Sequence, residues 1–270
     1  MRKLFIVLWS AIVIQGAAQP VIGPQLSMVQ SPFTVNSGSV DRLGEFYLTG
    51  GGQLMRLDTA GTPVAQVRLS DAGTAGLLEC WNPLRIWYHD ARSRPHHAAL
   101  LDHALGVQPD SVVIDPAIAI KPILIAPAVL NSNCWVLDMD FSVKYLNLNT
   151  NTLMLETAPL VDPSTDPGFL FMRAYQNLLF LHTREHGILV MNMTGKVIRT
   201  IPADGTTHLG VLGEDIYFKR KDELIFMNLY TGDQSAATLP SAGTIILAND
   251  ARLLIADGTT VRVYRFTPPR

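Results

Sequence analysis

The most suggestive chemistry in this 270-residue chain lies in a group of histidines. Four of the seven, His89, His96, His97 and His103, occur within fifteen residues. Imidazole nitrogens bind zinc and copper, and a neighbouring carboxylate can complete such a site. However, His96 and His97 are consecutive, and consecutive residues of a regular strand point to opposite faces, so both cannot reach one ion. The group therefore predicts a solvated turn, and we assign no metal and no cofactor.

No other pattern predicts catalysis. A Ser-His-Asp hydrolase must present its nucleophile beside a base, and the sequence lacks the Gly-x-Ser-x-Gly elbow that would do so. The formal net charge is −2 and no basic stripe is present, so electrostatic binding to nucleic acid or to anionic lipid is not predicted. We therefore assign no catalytic residue.

The elements that must position these side chains recur along the chain. Each copy ends a β-rich segment in an apolar residue followed by Asp or Asn, and then by a turn. The Asx side chain can accept hydrogen bonds from the amides of that turn, and a following Gly or Asn tolerates positive φ. Each copy therefore predicts a hairpin. The copies are Leu57-Asp58, Leu101-Asp102, Leu146-Asn147, Met191-Asn192, Met227-Asn228 and a weaker one at Tyr264-Arg265.

Strands before and after each hairpin complete a unit of four, which is the pattern of one propeller blade. Six units fill residues 33–266, and seven blades also fit within the uncertainty of the count. We therefore predict an all-β, six-bladed β-propeller. A β-sandwich pair or a solenoid are the alternatives, but a sandwich does not impose a period near 40 residues. The one segment with helical spacing, residues 98–105, is in register with the repeat and is interpreted as a strand and a turn.

Closure of the ring needs one more strand, because the chain ends soon after Phe266 with the last blade one strand short. We expect residues 27–35 to supply this outer strand from the N-terminal end.

The N-terminus predicts export. Arg2 and Lys3 precede an apolar run over residues 4–14, and small residues up to Ala18 suit signal peptidase. A run of eleven residues is too short to cross a membrane, which needs about 20. We predict a signal peptide at 1–18 and a single propeller domain at 19–270, in the periplasm or outside the cell. Since no cysteine follows the cleavage point, neither a lipid anchor nor membrane insertion of the mature chain is expected.

The two cysteines, Cys80 and Cys134, lie near strand ends of neighbouring repeats. An oxidising compartment would permit a bridge between them. Two separate buried thiols are the favoured interpretation, and the disulfide stays open.

The repeat of strand, polar turn, strand, apolar-Asx and Thr-Gly or Ala-Gly turn resembles the WD40-like, NHL and YVTN group of propellers. It lacks the Trp-Asp dipeptide and the Gly-His signature of true WD40 blades. With Asn82-Pro83-Leu84-Arg85-Ile86 opening the middle strand of the second repeat, the layout is similar to small uncharacterised envelope propellers of Bacteroidota. That likeness implies a role in the cell envelope and no established reaction.

Binding is expected on one face of the disc. The turn between the second and third strands of a blade lies on the same face as the links between blades, and such loops usually carry function. The three tryptophans of the second and third repeats, Trp81, Trp87 and Trp135, are interpreted mainly as core. The residues expected on this face, the rim residues, are His89, Asp90, Arg92, Arg94, His96, His97, Asp140, Arg184, Glu185, His186, Lys219, Arg220 and Lys221.

The mixed charges of these rim residues favour a non-enzymatic propeller that binds or scaffolds a protein partner in the envelope, with its oligomeric state open. The alternative is an enzyme, or a propeller that binds a small ligand or carbohydrate in the central funnel. One version of that alternative is assisted by a metal on the histidines of the second repeat.

Overall fold

The computed structural model describes residues 19–69, 77–92, 94–109, 111–128, 132–162, 164–165, 167–203, 206 and 208–269. The predicted signal peptide lies outside these residues. The described segments form 24 strands in six four-stranded antiparallel sheets, without a helix. No described helix is long and apolar enough to cross a membrane.

The sheets are arranged as six blades, each with its first strand towards the central axis, where the first strands of several blades contact one another. The strands are β1 Val21–Gln30, β2 Ser37–Val40, β3 Phe46–Gly50, β4 Gln53–Leu57, β5 Pro63–Arg68, β6 Leu77–Glu79, β7 Ile86–His89, β8 His97–Leu101, β9 Val112–Val113, β10 Leu124–Pro127, β11 Asn133–Leu137, β12 Val143–Asn147, β13 Thr152–Glu156, β14 Phe169–Tyr175, β15 Leu178–Thr183, β16 Gly187–Asn192, β17 Val197–Ile201, β18 Leu209–Leu212, β19 Asp215–Arg220, β20 Glu223–Asn228, β21 Gln234–Thr238, β22 Ile245–Ala248, β23 Arg252–Asp257 and β24 Thr260–Thr267.

Blades 1 to 5 take consecutive sets of four strands from β2–β5 to β18–β21, and blade 6 combines β22–β24 with β1. The predicted six-bladed, all-β architecture is therefore confirmed. Stacking buries both sides of the second and third strands, as in β11 and β16, whereas the outer strand β13 is mostly exposed. Apolar clusters span adjacent blades, so the ring is held together by packing between sheets.

The predicted Asx turns join the third and fourth strands of the blades. In blade 1, Asp58 Oδ1 accepts the backbone N–H groups of Ala60 (2.9 Å) and Thr62 (2.8 Å), and Gly61 has a φ of 86°. In blade 2, residues 98–105 form strand and turn as expected, with Leu105 at a φ of 66°. Side-chain capping by Asx therefore sets the hairpins that define the repeat.

Ring closure comes from β1, which pairs with β24 as the outer strand of blade 6. The prediction of an N-terminal closing strand is confirmed, but the strand begins at Val21 and ends at Gln30. Residues 31–35 instead lead into blade 1, and the Ser31 and Val35 N–H groups donate to the β23–β24 turn at 2.7 and 2.8 Å. Most residues of β1 are exposed and show little apolar alternation, so the sequence pattern does not reveal that the strand begins before residue 27.

A buried ion pair connects three blades at the axis. Arg173 on β14 of blade 4 donates through Nε to Glu79 Oε2 on β6 of blade 2, and through Nη2 to Ser39 Oγ on β2 of blade 1, both at 2.5 Å. All three residues are buried. Burial by itself would lower the pKa of Arg173, but the adjoining Glu79 charge opposes this and the pKa is raised overall. One guanidinium therefore ties three blades together across the axis.

We predict that deleting residues 19–30 lowers the midpoint of thermal unfolding by roughly 10 °C, because β24 loses its partner and Ile22 and Val29 leave the apolar clusters they contact. Calorimetry of the chain from residue 19 onwards measures the change. Met28→Thr is the matched control, since Met28 is 57% exposed and the strand pairing is kept, so its midpoint should shift by no more than about 2 °C. An unchanged midpoint for the deletion would contradict closure by β1.

We predict that Arg173→Met costs about 3–5 kcal/mol of unfolding free energy, because Glu79 is left as a buried charge without its cation. The double variant Glu79→Gln, Arg173→Met should recover at least about 2 kcal/mol of that loss, since it removes both charges. Urea unfolding of the three proteins measures these values. A single-variant loss below about 1 kcal/mol would show that the pair does not hold the axis.

Candidate functional site

The predicted rim residues lie on one face of the disc, in or beside the turns between the second and third strands of blades 2 to 5. Blade 2 contributes those from His89 to His97, and blades 3, 4 and 5 contribute the others. Eight of the thirteen have exposed side chains. These eight are Arg92, Arg94, His97, Arg184, Glu185, His186, Arg220 and Lys221.

Two rim histidines are structural parts of their loop. His89 is 2% exposed and donates from Nε2 to the Pro95 carbonyl at 2.9 Å. Its burial lowers the pKa to about 4, so it is neutral at physiological pH. His96 donates from Nε2 to the Ala119 carbonyl, also at 2.9 Å. Both side chains therefore stabilise the long loop of blade 2 instead of facing a partner.

Three further rim residues are also engaged. Asp90 is buried and accepts a backbone N–H two residues along the chain at 3.0 Å. Asp140 accepts from the backbone and hydroxyl of Ser142 at 3.0 and 2.7 Å. Lys219 donates from Nζ to the Gly243 carbonyl at 2.8 Å.

The structure brings only part of the predicted set together: Arg94, His96 and His97 line one open cavity of about 430 Å³ with Val113 and Pro116.

Two other histidines pack in the interior near the axis. His182 is fully buried in β15, and neither ring nitrogen has a hydrogen-bond partner among the described residues. Burial lowers its pKa to about 4. His208 packs between Phe171 and Tyr217, and burial together with the positive charge of Arg173 lowers its pKa to about 3. Both are neutral core groups at neutral pH.

The four clustered histidines do not converge. His103 turns towards blade 1, where Nε2 lies 2.8 Å from Glu45 Oε2 and contacts Arg56 Nη1. Asp41, Glu45 and His103 have ligand atoms within 4.8 Å of one another, a spacing that could suit a cation. The Arg56 guanidinium, 3.1 Å from Glu45, already supplies positive charge at this point. We therefore interpret this group as an inter-blade salt bridge.

A concave site lies on the opposite face. There, the turns between the first and second strands of blades 1, 2, 4, 5 and 6 come together around the axis. With residues 127–128 of blade 3, they enclose two cavities of about 450 and 360 Å³. We call this region the mouth. It consists of residues 40–44, 59–60, 79, 81–82, 85, 87, 127–128, 174–176, 211–213 and 248–252.

Trp81 lies between the two cavities and lines both of them. Its ring belongs to blade 2 but meets Tyr175 of blade 4 edge-on, with ring centroids 5.7 Å apart. The Tyr175 hydroxyl in turn donates to the Gly213 carbonyl of blade 5 at 2.6 Å. Although it is held in this way, the Trp81 side chain remains 43% exposed. An indole is thus presented to solvent at the centre of the disc.

The backbone of Trp81 is fixed as firmly as its ring. Its N–H donates to Glu79 Oε1 at 2.8 Å, and its carbonyl accepts the Arg42 N–H at 3.2 Å. The other oxygen of Glu79 accepts from Arg173, so the Trp81 backbone is bonded directly to the axial ion pair. The chain therefore pre-organises the exposed indole before any ligand arrives.

The surroundings of Trp81 combine apolar and cationic groups. Leu43 and Leu84 are 58% and 65% exposed in the neighbouring turns. Arg85 lies 5.8 Å from the centre of the Trp87 ring, within range of a cation–π contact. Trp and Arg are residue types that are enriched at protein interfaces relative to the rest of the surface.

The mouth was not predicted from the sequence, because the three tryptophans of the second and third repeats were all interpreted mainly as core. Trp87 and Trp135 are buried at 3% and 0% exposure, as expected, but Trp81 is not. The available signal was local: Trp81 stands directly before Asn82-Pro83, and such a pair marks a turn. An aromatic residue in a turn lacks the two flanking blades that would cover it.

Cys80 and Cys134 are both buried and free. Burial raises the pKa of Cys134 to about 12 and that of Cys80 well above its usual range, so both remain protonated thiols.

No family model and no curated protein matches this chain. Among solved structures, it is similar to the WD40 domain of Pan2 from Neurospora crassa, with a TM-score of 0.61 and 9% identity over 90% of this chain and 95% of that one. At this identity the likeness concerns the fold alone. The fold is therefore that of a WD40-like β-propeller.

Proposed function

We propose that this chain is a non-enzymatic recognition propeller of the cell envelope that binds a protein partner through the mouth. The observation that carries the proposal is Trp81, an exposed indole held rigidly between two cavities at the centre of the disc. Tryptophan, tyrosine and arginine dominate the energetics of protein interfaces when they lie near the centre of the contact. The mouth places Trp81, Tyr175 and Arg42 in that arrangement.

The fold supports this choice of mechanism. A propeller offers a rigid disc on which turns from every blade can contribute to one surface. A pre-formed surface loses little conformational freedom on binding, so its contacts count almost fully towards affinity. The rim residues on the other face remain a second predicted contact surface, of which eight side chains are free to reach a partner.

Export is part of the proposal. The signal-like segment at residues 1–18 supports a periplasmic or extracellular location, which is also what the resemblance of the sequence layout to small envelope propellers implies.

A second candidate is recognition of a small ligand or carbohydrate in the same cavities. The volumes of about 450 and 360 Å³ fall in the range of small-molecule sites. A sugar ring could stack on Trp81 while the amide group of Asn82 bonds one of its hydroxyls. Binding to a glycan array that is lost in Trp81→Ala would favour this candidate over a protein partner.

We predict that Trp81→Ala weakens partner binding about 30-fold, the loss expected for a central hot-spot residue. The partner is first captured from envelope extract by photo-crosslinking from p-benzoylphenylalanine placed at Leu84, which is 65% exposed, and is then identified by mass spectrometry. Its affinity for wild-type and variant protein is measured by calorimetry.

Arg184→Ala on the opposite face is the matched control and should leave this affinity unchanged. If Arg184→Ala weakens binding while Trp81→Ala does not, the partner uses the rim residues and the proposal for the mouth is wrong. Circular dichroism and the thermal midpoint confirm that both variants are folded.

A further inference from the structure

We propose that His182 and His208 form an acid-sensitive element, which loosens β14 and releases the contacts of the mouth when the two imidazoles take up protons. This inference rests on the proposed function, because it assigns a form of regulation to the same surface. His182 lies in β15 of blade 4, and His208 directly precedes β18 of blade 5. Both are therefore close to β14, the strand that carries Tyr175 to the mouth.

Both imidazoles are shut off from solvent. His182 is completely buried, and His208 is 7% exposed. Both ring nitrogens of His182, and Nε2 of His208, have no hydrogen-bond partner among the described residues. An imidazolium carries two N–H donors and a full charge, and burying it without partners is far more costly than burying the neutral ring. The closed interior therefore accepts only the neutral form of each side chain.

Both rings lie beside Phe171 on β14. His182 is paired with Phe171 across β14 and β15, which places the two side chains on the same face of the sheet. The ring centroid of His208 lies 6.2 Å from that of Phe171 and 6.5 Å from that of Tyr217. The Arg173 guanidinium lies 5.2 Å from the centre of the Phe171 ring. One short stretch of β14 therefore lies against both histidines and carries the cation of the axial ion pair.

The strands beside the two rings offer no free counter-charge. β15, β16 and β18 carry no further titratable side chain. The titratable side chains of β14 and β19 are Arg173, Tyr175, Asp215, Tyr217, Lys219 and Arg220. Asp215, the one carboxylate among them, lies at the mouth end of β19, and the Glu79 carboxylate is already paired with Arg173. A proton taken up here would therefore add positive charge near Arg173.

Protons consequently favour an open form that admits water to the two rings. Burial lowers the pKa of His182 to about 4, and burial with the charges of Arg173 and His182 lowers that of His208 to about 3. Above the ordinary histidine pKa of about 6.5, both rings are neutral in either form and the closed form is not penalised. Below it, only the open form takes up protons, so a fall from pH 7 to pH 5 favours opening about 20-fold for each histidine and roughly 400-fold for both.

β14 transmits this opening to the mouth. Tyr175, two residues beyond Arg173, meets the Trp81 ring edge-on and donates its hydroxyl to the Gly213 carbonyl. A movement of β14 that admits water to the histidines loosens both contacts, and it disturbs the Arg173 pair to which the Trp81 backbone is bonded through Glu79. We therefore expect the mouth to be pre-organised at neutral pH and to release its partner as the pH falls towards 5.

Hydrogen exchange at pH 7 and pH 5, corrected for the intrinsic exchange rate, tests this inference. In the wild-type protein, we expect the protection of the β14 amides and of the Trp81 amide to fall roughly 400-fold between the two pH values. The double variant His182→Met, His208→Met has no proton to gain there, so its protection should fall less than about threefold. His186→Gln removes an exposed imidazole from the same blade and is the matched control, which should respond as the wild type does.

The single variants His182→Met and His208→Met cover the case in which the double variant does not fold. Each should keep a response of about 20-fold, because one titratable ring remains. A full response in both single variants, or an equal response in the wild type and the double variant, would overturn the inference. At pH 5, β14 should also exchange before β3 of blade 1. Simultaneous exchange of the two strands would show that acid unfolds the whole disc and would likewise overturn it.

This test uses no partner, so its outcome is separate from that of the proposed function. If the protection of β14 does not respond to pH while Trp81→Ala loses the natural partner, the proposed function stands and the acid-sensitive element is wrong. If β14 responds but Trp81→Ala leaves the natural partner bound, the proposed function fails, and with it the role of the histidines in regulating binding.

Discussion

Arg173 reaches across the axis of the propeller from blade 4 to Glu79 of blade 2 and Ser39 of blade 1. Removing the two charges from water costs several kcal/mol for each ion, and only close pairing with well-directed hydrogen bonds can offset that penalty. The three first strands must therefore meet the axis at set heights for the pair to form. Packing between blades supplies most of the stability, and this pair fixes their relative positions.

The same pair connects the centre of the fold to the surface. One oxygen of Glu79 receives Arg173, and the other receives the backbone N–H of Trp81. The backbone of Trp81 is thus bonded to a buried carboxylate that cannot move without breaking the axial contact. This explains how a short turn can hold a large aromatic side chain in the open without collapse onto the surface.

Local rules were sufficient to predict the repeat, whereas the contacts that make the candidate site are not local. Asp58 and Asn192 cap their own turns within four residues, so the spacing of such pairs reveals the blades. Arg173 stands in an apolar strand, and its partner Glu79 is 94 residues away. Nothing near either residue in the sequence indicates the other. His103 likewise pairs with Glu45, 58 residues away, so a cluster in the sequence is not a cluster in space.

The pairing of Val21 with Thr267 in blade 6 joins strands that are almost a whole chain length apart. This contact closes the longest loop in the fold, so it has the largest entropy cost of loop closure and we expect it to form last. A growing chain has no place for β1 until β24 has been made, and during synthesis the ring remains an open arc. The disc can therefore be completed only after β24 has been synthesised.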